Sequence, residues 1–206
     1  MMSWFKIVAS VFLAIGFAVP GMIYGLGYHG PRQFKELGPK PPVAEVILHA
    51  QSLKGVPYDP LMGEHDDLGG RLGFMVCSDV PNIAYGLAGY SLATLLAQDF
   101  KRQPWAYDSR HGNKPGNPYF HRRARNLFAY FKANQLMPQE PKAGDLAFYS
   151  KTPNGMIAHV ALITKVTDQG YQLMESAPKT LVAQEVTDQS PLNRGWIFRG
   201  FGRLPS

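Results

Sequence analysis

Hydrophobic and polar positions along the chain follow three patterns in succession. The first is an apolar run without charged residues, from residue 7 to residue 28. In the second, apolar residues recur every three or four positions, which predicts helices over residues 42–53, 80–87, 92–101 and 124–137. From Gly144 the period changes to two, which predicts strands. Five segments show that period: GDLAFYS, IAHVALITKV, YQLMESA, LVAQEVT and WIFRGFGRL. Helices followed by a meandering antiparallel sheet predict an α+β domain.

The apolar run divides the chain into three regions. Residues 1–28 are interpreted as a signal peptide or transmembrane anchor, because Lys6 precedes an apolar stretch long enough to span a bilayer. Its proline and glycines make it a poor uniform helix, but its cleavage site is weak, so a retained anchor is slightly favoured over a cleaved signal. Residues 29–41 are polar and proline-rich, as in a linker, and residues 42–206 form the folded domain. This layout predicts a location in the cell envelope outside the cytoplasm, either anchored to the inner membrane through residues 7–28 or secreted to the periplasm.

Composition narrows the possible chemistry. The net charge of +6 favours anionic partners, although a modest positive charge also simply keeps a protein soluble. A single cysteine excludes an intramolecular disulfide and a zinc site built on several thiolates. The glycine clusters lack the strand–loop–helix context of a phosphate-binding loop, so no nucleotide cofactor is expected. The acidic stretch at residues 63–67 could hold a cation, but such clusters are more often only solvated. We therefore predict no metal, no cofactor and no nucleic-acid partner.

That single cysteine, Cys77, lies where an apolar run meets a predicted helix start. The partial positive charge of a helix N-terminus and a nearby imidazole both lower a thiol pKa and create a nucleophile. The alternative is that Cys77 is a small buried hydrophobe. His159 is the best candidate base among the six histidines, because it interrupts the apolar strand IAHVALI. A core histidine bonded to backbone is an equally good interpretation from strand position alone.

A catalytic imidazole usually needs a third group that fixes its orientation. Glu175 lies on the strand after the His159 strand. If the two strands pair through TDQG, His159 faces residue 178 and Glu175 is a near diagonal neighbour. A bulge in the pairing could bring the two side chains together. A solvated strand carboxylate is the competing interpretation of Glu175.

Residues 101–122 form an irregular stretch rich in basic and aromatic residues, and a long loop of this kind is often functional. Within and beside it, Trp105, His121 and Arg122 are candidates for contacts with a carboxylate or phosphate of the substrate. A solvated helix start explains His121 and Arg122 equally well. Asp79 is a further candidate near the cysteine, although its position favours a first-turn cap or loop tie over a catalytic role.

Several motifs carry a family resemblance. The stretches HAQSLKGVPYDPLMG, GFMVCSDVPNIAYGLAG and PKAGDLAFYS with IAHVALI resemble, in order, the NlpC-type cysteine peptidases of bacterial cell walls. The chain is still more similar to uncharacterised secreted bacterial proteins of the same papain-like superfamily, which show Tyr-Asp-Pro, Cys-Thr-Asp-Val and His-Arg-Arg. The corresponding stretches here are Tyr58-Asp59-Pro60, Cys77-Ser78-Asp79-Val80 and HRRARNL from His121. The resemblance covers residues 42–204.

The resemblance implies a papain-like fold with Cys77 as nucleophile and His159 as base. It places the third polar residue at Glu175, where the family usually has His, Asn or Gln. It also implies that Tyr58 lines the site. The sequence departs from the family pattern at Pro81 and at Val76, which stands where an acidic residue normally precedes the cysteine.

These features together predict a cysteine hydrolase of the cell envelope that cleaves an amide bond in peptidoglycan peptides. Two other functions remain open from the sequence. One is a deamidase or transpeptidase on the same fold that acts on proteins. The other is a non-catalytic envelope module that binds through the basic aromatic loop.

Overall fold

The computed structural model describes residues 24–61, 69–110, 113–117 and 119–205. Most of the predicted signal or anchor region, residues 1–23, lies outside those ranges. The helices are α1 (Val43–Ser52), α2 (Asp79–Leu87), α3 (Leu92–Arg102), α4 (Ala124–Ala133) and α5 (Gln189–Asn193). The strands are β1 (Leu146–Ser150), β2 (Ile157–Thr167), β3 (Gly170–Ser176), β4 (Ala183–Thr187) and β5 (Ile197–Gly202). None of the helices in the described ranges has both the length and the apolar character that a membrane span requires.

The five strands form one antiparallel sheet in the order β4-β3-β2-β1-β5. The first four strands make the predicted meander, but β5 returns to the far edge and pairs with β1. The expectation of a simple meander is therefore wrong for the last strand. The predicted fold class, an α+β domain with helices packed on a five-stranded antiparallel sheet, is confirmed.

The two faces of the sheet bury different sets of side chains. One face, with Phe148, Val160 and Met174, packs against helices α1 to α4 in the main core. The other face carries a smaller apolar cluster that includes Tyr149 and Ala161, with Trp196 packed against it. Successive side chains of a strand point to opposite faces, so His159 shares the second face with Ala161.

The N-terminal part of the described chain lies against the helices. The Gly38 N–H donates to the Gly89 carbonyl at 3.3 Å, and the Ser91 N–H donates to the Glu36 carbonyl at 2.9 Å. The Phe34 ring covers Gly86 so closely that a Cβ at that glycine would lie 2.1 Å from its Cδ2 atom. Part of the predicted linker therefore packs on the domain.

Helix α4 ends earlier than its apolar pattern predicts. The periodicity runs towards Pro138, but the helix stops at Ala133. The Asn134 side chain donates to the Tyr130 carbonyl at 2.8 Å, and Gln135 adopts a positive φ of 58°. A side chain bonded to the last turn and a left-handed residue end a helix in the usual way, and neither feature disturbs the hydrophobic period.

Candidate active site

Cys77 lies immediately before helix α2 and is partly exposed. The backbone on its N-terminal side is fixed at Met75, whose N–H donates to the Pro57 carbonyl at 2.9 Å. The Met75 carbonyl accepts from the Ser176 hydroxyl at the end of β3, at 3.1 Å. These bonds hold the cysteine at the end of the sheet where β3 finishes and β2 begins.

A buried ion pair holds the turn that presents Cys77. Asp79 accepts from Arg122 Nε at 2.7 Å and from Arg122 Nη2 at 2.8 Å. The same carboxylate accepts from the Val76 N–H at 2.9 Å. Both side chains are almost fully buried. Asp79 therefore ties the loop to the first turn of α2, and Arg122 supplies the compensating charge that such a buried carboxylate requires.

His159 sits at the centre of the site. Its side chain is 2% exposed, and its Nε2 lies 2.6 Å from Glu175 Oε2. Cys77 is the other group that interacts with this ring, through hydrogen bonding and charge that raise the His159 pKa. Burial disfavours the charged imidazolium, but the hydrogen bonds and charges of Cys77 and Glu175 outweigh it and raise the His159 pKa to about 9. The Trp196 ring stacks on the imidazole with centroids 5.3 Å apart.

Glu175 is fully buried and has two partners. Oε2 contacts His159, and Oε1 accepts a hydrogen bond from Arg194 Nη2. Burial raises the pKa of a carboxyl group, but the bonds from His159 and Arg194 outweigh it and lower the Glu175 pKa. Glu175 is thus an anion between two cations, which is the arrangement that fixes an imidazole and favours its protonated form.

An irregularity in strand pairing brings His159 and Glu175 together. Residues next to the β2–β3 turn pair as Val166 with Tyr171, but the register shifts by one residue between Ile163 and Lys165. Beyond the shift, Leu162 pairs with Met174, so continuation of that register would place residue 177 opposite His159. With this shift Glu175 is a diagonal neighbour on the same face as His159, and the two side chains meet.

Tyr58 borders the cysteine from the opposite wall. Its N–H donates to the Leu181 carbonyl at 2.8 Å, which fixes the residue against the segment before β4. Burial, followed by the nearby Cys77 and Asp59, raises the Tyr58 pKa to about 12. The phenol therefore remains a hydrogen-bond donor at neutral pH.

A cleft of about 180 Å³ opens at Cys77. Its walls include Tyr58, Arg122 and Ala158, and Arg123 and Arg125 also line it. Three other predicted binding residues, Asp79, His121 and Trp105, do not line this cleft. His121 is buried, which lowers its pKa, and Trp105 is 79% exposed in the short turn that follows α3.

The described residues contain no group of three or more side chains suited to hold a metal ion. The acidic stretch at residues 63–67, for which a cation was considered, lies outside the described ranges.

Sequence reasoning did not identify Arg194 or Trp196, the two residues that complete the surroundings of His159 and Glu175. Both come from the segment between α5 and β5. That segment reaches the site only because β5 returns to pair with β1, a topology without a local sequence signal.

Comparison with known families gives one match. A family model described as a domain of unknown function, DUF1287, matches residues 67–177, which is more than half of the chain. The chain belongs to the DUF1287 family. The residues matched to DUF1287 include Cys77, His159 and Glu175. A search of curated proteins found no match.

Three chains of solved structures are similar to this DUF1287 chain. One of them is described as the peptidoglycan hydrolase RipB from Mycobacterium tuberculosis. The two share 21% sequence identity with a TM-score of 0.46, over 98% of this chain and 86% of that one.

Proposed function

We propose that the protein is a cysteine hydrolase that cleaves an amide bond, with Cys77 as nucleophile, His159 as acid and base, and Glu175 as the residue that orients His159. The observation that supports this most is the buried pair of His159 Nε2 and Glu175 Oε2, 2.6 Å apart, with Cys77 among the groups that raise the His159 pKa. A thiol at a helix N-terminus beside an imidazole held by a buried carboxylate is the arrangement that activates a nucleophile. A structural cysteine and a core histidine require none of these contacts.

In the first step, the thiolate sulfur of Cys77 attacks the carbonyl carbon of the amide, while His159 carries the proton. The carbonyl oxygen gains negative charge and accepts the N–H of Cys77 as one donor. Because Tyr58 borders the thiol and remains protonated, its hydroxyl is the second candidate donor to the reacting carbonyl.

In the second step, the bond between carbon and nitrogen breaks. The His159 imidazolium transfers its Nδ1 proton to the departing nitrogen, and the acyl group remains on the Cys77 sulfur as a thioester. Neutral His159 then removes a proton from water, whose oxygen attacks the thioester carbon. Release of the carboxylic acid restores the thiol–imidazole pair, so atoms and protons balance over the cycle.

The proposed substrate is a peptidoglycan peptide. Two features support it. The motifs around Tyr58, Cys77 and His159 resemble those of the NlpC-type cell-wall enzymes, and arginines line the cleft, which suits a peptide that carries carboxylates. This substrate requires a location in the cell envelope, and the apolar run at residues 7–28 is consistent with that location.

Mass analysis of digested cell-wall peptides tests the proposed reaction. Wild type should release fragments that differ by one hydrolysed amide, and Cys77→Ala and His159→Ala should reduce the rate by at least about a thousandfold. His49→Ala, in the last turn of α1, is the matched control and should retain activity. Equal cleavage by Cys77→Ala would exclude the proposed nucleophile. Intact cell-wall peptides together with modified protein amides would instead indicate the deamidase or transpeptidase alternative.

Alkylation of Cys77 tests the nucleophile without a substrate. Because the chain has one cysteine, intact mass after iodoacetamide treatment reports this thiol alone. We expect wild type to react faster at neutral pH than His159→Ala, because the imidazole withdraws the thiol proton. A thiol that is silent, or that ignores the loss of His159, would favour the binding-module alternative.

A further inference from the structure

Residues 27–38, which we call the N-terminal strap, lie against the loop and the helix that carry the candidate nucleophile. The strap begins in close backbone contact with that loop, since a Cβ at Gly27 would collide with the Leu72 carbonyl oxygen. The Tyr28 N–H donates to the Gly73 carbonyl at 2.8 Å. The strap therefore binds the chain just before the candidate nucleophile.

Arg32 connects the strap to the chain just after the nucleophile. Its Nη1 lies 3.6 Å from Asp79 Oδ2, and its side chain is 19% exposed. The same oxygen accepts from the Val76 N–H at 2.9 Å and from Arg122 Nη2 at 2.8 Å. Two guanidinium groups and one backbone N–H thus surround the carboxylate oxygen that ties the Cys77 loop to α2.

Tyr28 and Arg32 form one unit, the Tyr28–Arg32 clamp. Arg32 Nη2 donates to the Tyr28 carbonyl at 3.1 Å, and the guanidinium carbon lies 5.7 Å from the centroid of the Tyr28 ring. With its contacts to Gly73 and Asp79, the clamp holds both ends of the stretch that contains Cys77.

The rest of the strap limits how far Arg32 can move. Ser91, at the start of α3, binds the strap twice: its hydroxyl donates to the Phe34 carbonyl, and its N–H donates to the Glu36 carbonyl at 2.9 Å. Asp79 is 2% exposed, so water and salt screen its attraction to Arg32 only weakly. Arg32 is therefore placed to restrict the Asp79 carboxylate and, with it, the turn that presents the thiol.

We propose that Arg32 is a positioning residue that acts through Asp79. By holding the turn around Cys77, it keeps the thiol in the place beside His159 that proton transfer requires. The proposal rests on the proposed hydrolysis for the identity of the nucleophile and the base. The strap, most of which the sequence predicts to be a linker, is then part of the active site.

Steady-state hydrolysis of a peptidoglycan peptide by the full-length chain tests this role. Arg32→Met keeps the length of the side chain but removes its charge and its donors. We expect kcat to fall about tenfold or more with KM within about twofold of wild type, because a displaced nucleophile slows the chemical step and leaves binding intact. Arg32→Lys restores the charge without the planar fork and should recover part of the lost kcat. Lys35→Met, at an exposed position of the same strap, is the matched control and should follow wild type.

Gly27→Ala tests the clamp from its other end and leaves the charges in place. The new methyl group would collide with the Leu72 carbonyl and should displace Tyr28. We expect kcat to fall as in Arg32→Met, and the two substitutions together to cost less than the product of their separate effects, because both break the same set of contacts. Gly25→Ala, where a Cβ would meet no atom within 4 Å, is the matched control.

The rate of Cys77 alkylation by iodoacetamide at neutral pH measures the same positioning without a substrate. Arg32→Met should react more slowly than wild type, towards the rate of His159→Ala, and Arg32→Lys should lie between Arg32→Met and wild type. Alkylation of Arg32→Met at the wild-type rate would overturn the proposal.

The kinetic data can also overturn it, either through an unchanged kcat in Arg32→Met or through a loss that falls on KM instead of kcat. If Arg32→Met does not fold, Gly27→Ala decides, and a kcat equal to that of Gly25→Ala would contradict the clamp. A wild type that cleaves nothing would contradict the proposed hydrolysis. The alkylation rates of the Arg32 variants would then decide the positioning role alone.

Discussion

At the residue scale, the site depends on how one buried imidazole keeps its proton. Burial alone would lower the His159 pKa, and the hydrogen bonds and charges of Cys77 and Glu175 reverse that effect. Arg194 keeps Glu175 ionised within the same buried cluster. The acid of the proposed reaction is therefore maintained by Glu175 and Arg194.

Glu175→Gln tests this dependence. The amide keeps the shape and one acceptor oxygen but removes the negative charge that helps to hold the His159 pKa at about 9. We expect the alkaline limb of kcat/KM to move to lower pH and kcat to fall about 10- to 100-fold. Pre-steady-state or steady-state hydrolysis over pH 6–10 measures both changes.

Glu185→Gln on β4 is the matched carboxylate-to-amide control, and its pH profile should follow wild type. Glu185 accepts a hydrogen bond from Gln51 at 2.9 Å, remote from the His159 ring. An unchanged alkaline limb in Glu175→Gln would show that Glu175 does not set the protonation of His159.

The sequence identified the residues whose chemistry is unusual for their local pattern. A histidine in an apolar strand and a lone cysteine at a helix start are visible without a structure. Arg194 is not, because an arginine in a polar loop matches its surroundings. Its function depends on contact with Glu175, 19 positions away. The ion pair of Asp79 and Arg122 joins residues 43 positions apart, and the contact between them could not be predicted from the sequence either.

At the scale of elements, strands were predictable to within two residues at each end. Strands β1 to β3 bury one or both faces over much of their length, which constrains the hydrophobic pattern of these segments. The helix predicted over residues 124–137 was too long, because α4 ends at Ala133. Hydrophobic periodicity carries no information about how Asn134 and Gln135 end the helix. The return of β5 to β1 could not be read from any single strand. The order in which strands pair depends on all five strands together, whereas the hydrophobic pattern of one segment describes that segment alone.

The contact between Phe34 and helix α2 gives a prediction at this scale. Replacing a helical glycine by alanine normally stabilises a helix by about 1 kcal/mol, but a Cβ at Gly86 would lie 2.1 Å from Phe34 Cδ2. We expect Gly86→Ala to destabilise the wild-type fold by about 1–3 kcal/mol. The segment around Phe34 should also leave α2, so that trypsin cleaves the chain after Arg32 and Lys35. Urea unfolding and limited proteolysis measure the two effects.

Phe34→Ala supplies the control background, because it removes the ring that the new methyl group meets. In that background Gly86→Ala should become stabilising, so the sign of its effect reverses. If Gly86→Ala changed the free energy of unfolding in the same direction in both backgrounds, the Phe34 ring would not lie against Gly86 of α2.

At the scale of the whole molecule, the buried His159–Glu175 pair links stability to pH. A raised histidine pKa stabilises the fold fully below the ordinary value of 6.5, and that contribution is lost as the pH rises through about 9. A lowered carboxyl pKa stabilises the fold above the ordinary value of 4.5, and that contribution is lost as the pH falls below it. Both contributions to the free energy of unfolding are present in full only between pH 4.5 and pH 6.5.

We therefore expect the free energy of unfolding of wild type to exceed that of Glu175→Gln by the largest margin near pH 5.5. The margin should narrow between pH 7 and pH 9.5 as His159 loses its proton. Urea unfolding followed by circular dichroism at these pH values measures it. A margin that stays constant with pH would indicate that the pair is not ionised in the folded protein.

The stacking of Trp196 on His159 has an optical consequence. A protonated imidazole in contact with an indole quenches its fluorescence, whereas the neutral ring does so far less. Trp105 is 79% exposed and does not line the Cys77 cleft, and subtraction of the Trp196→Phe spectrum removes its emission together with that of Trp4. The emission of Trp196 should therefore brighten when His159 gives up its proton. Trp196 is thus an intrinsic fluorescent reporter of the charge on His159, and it needs neither a substrate nor a label.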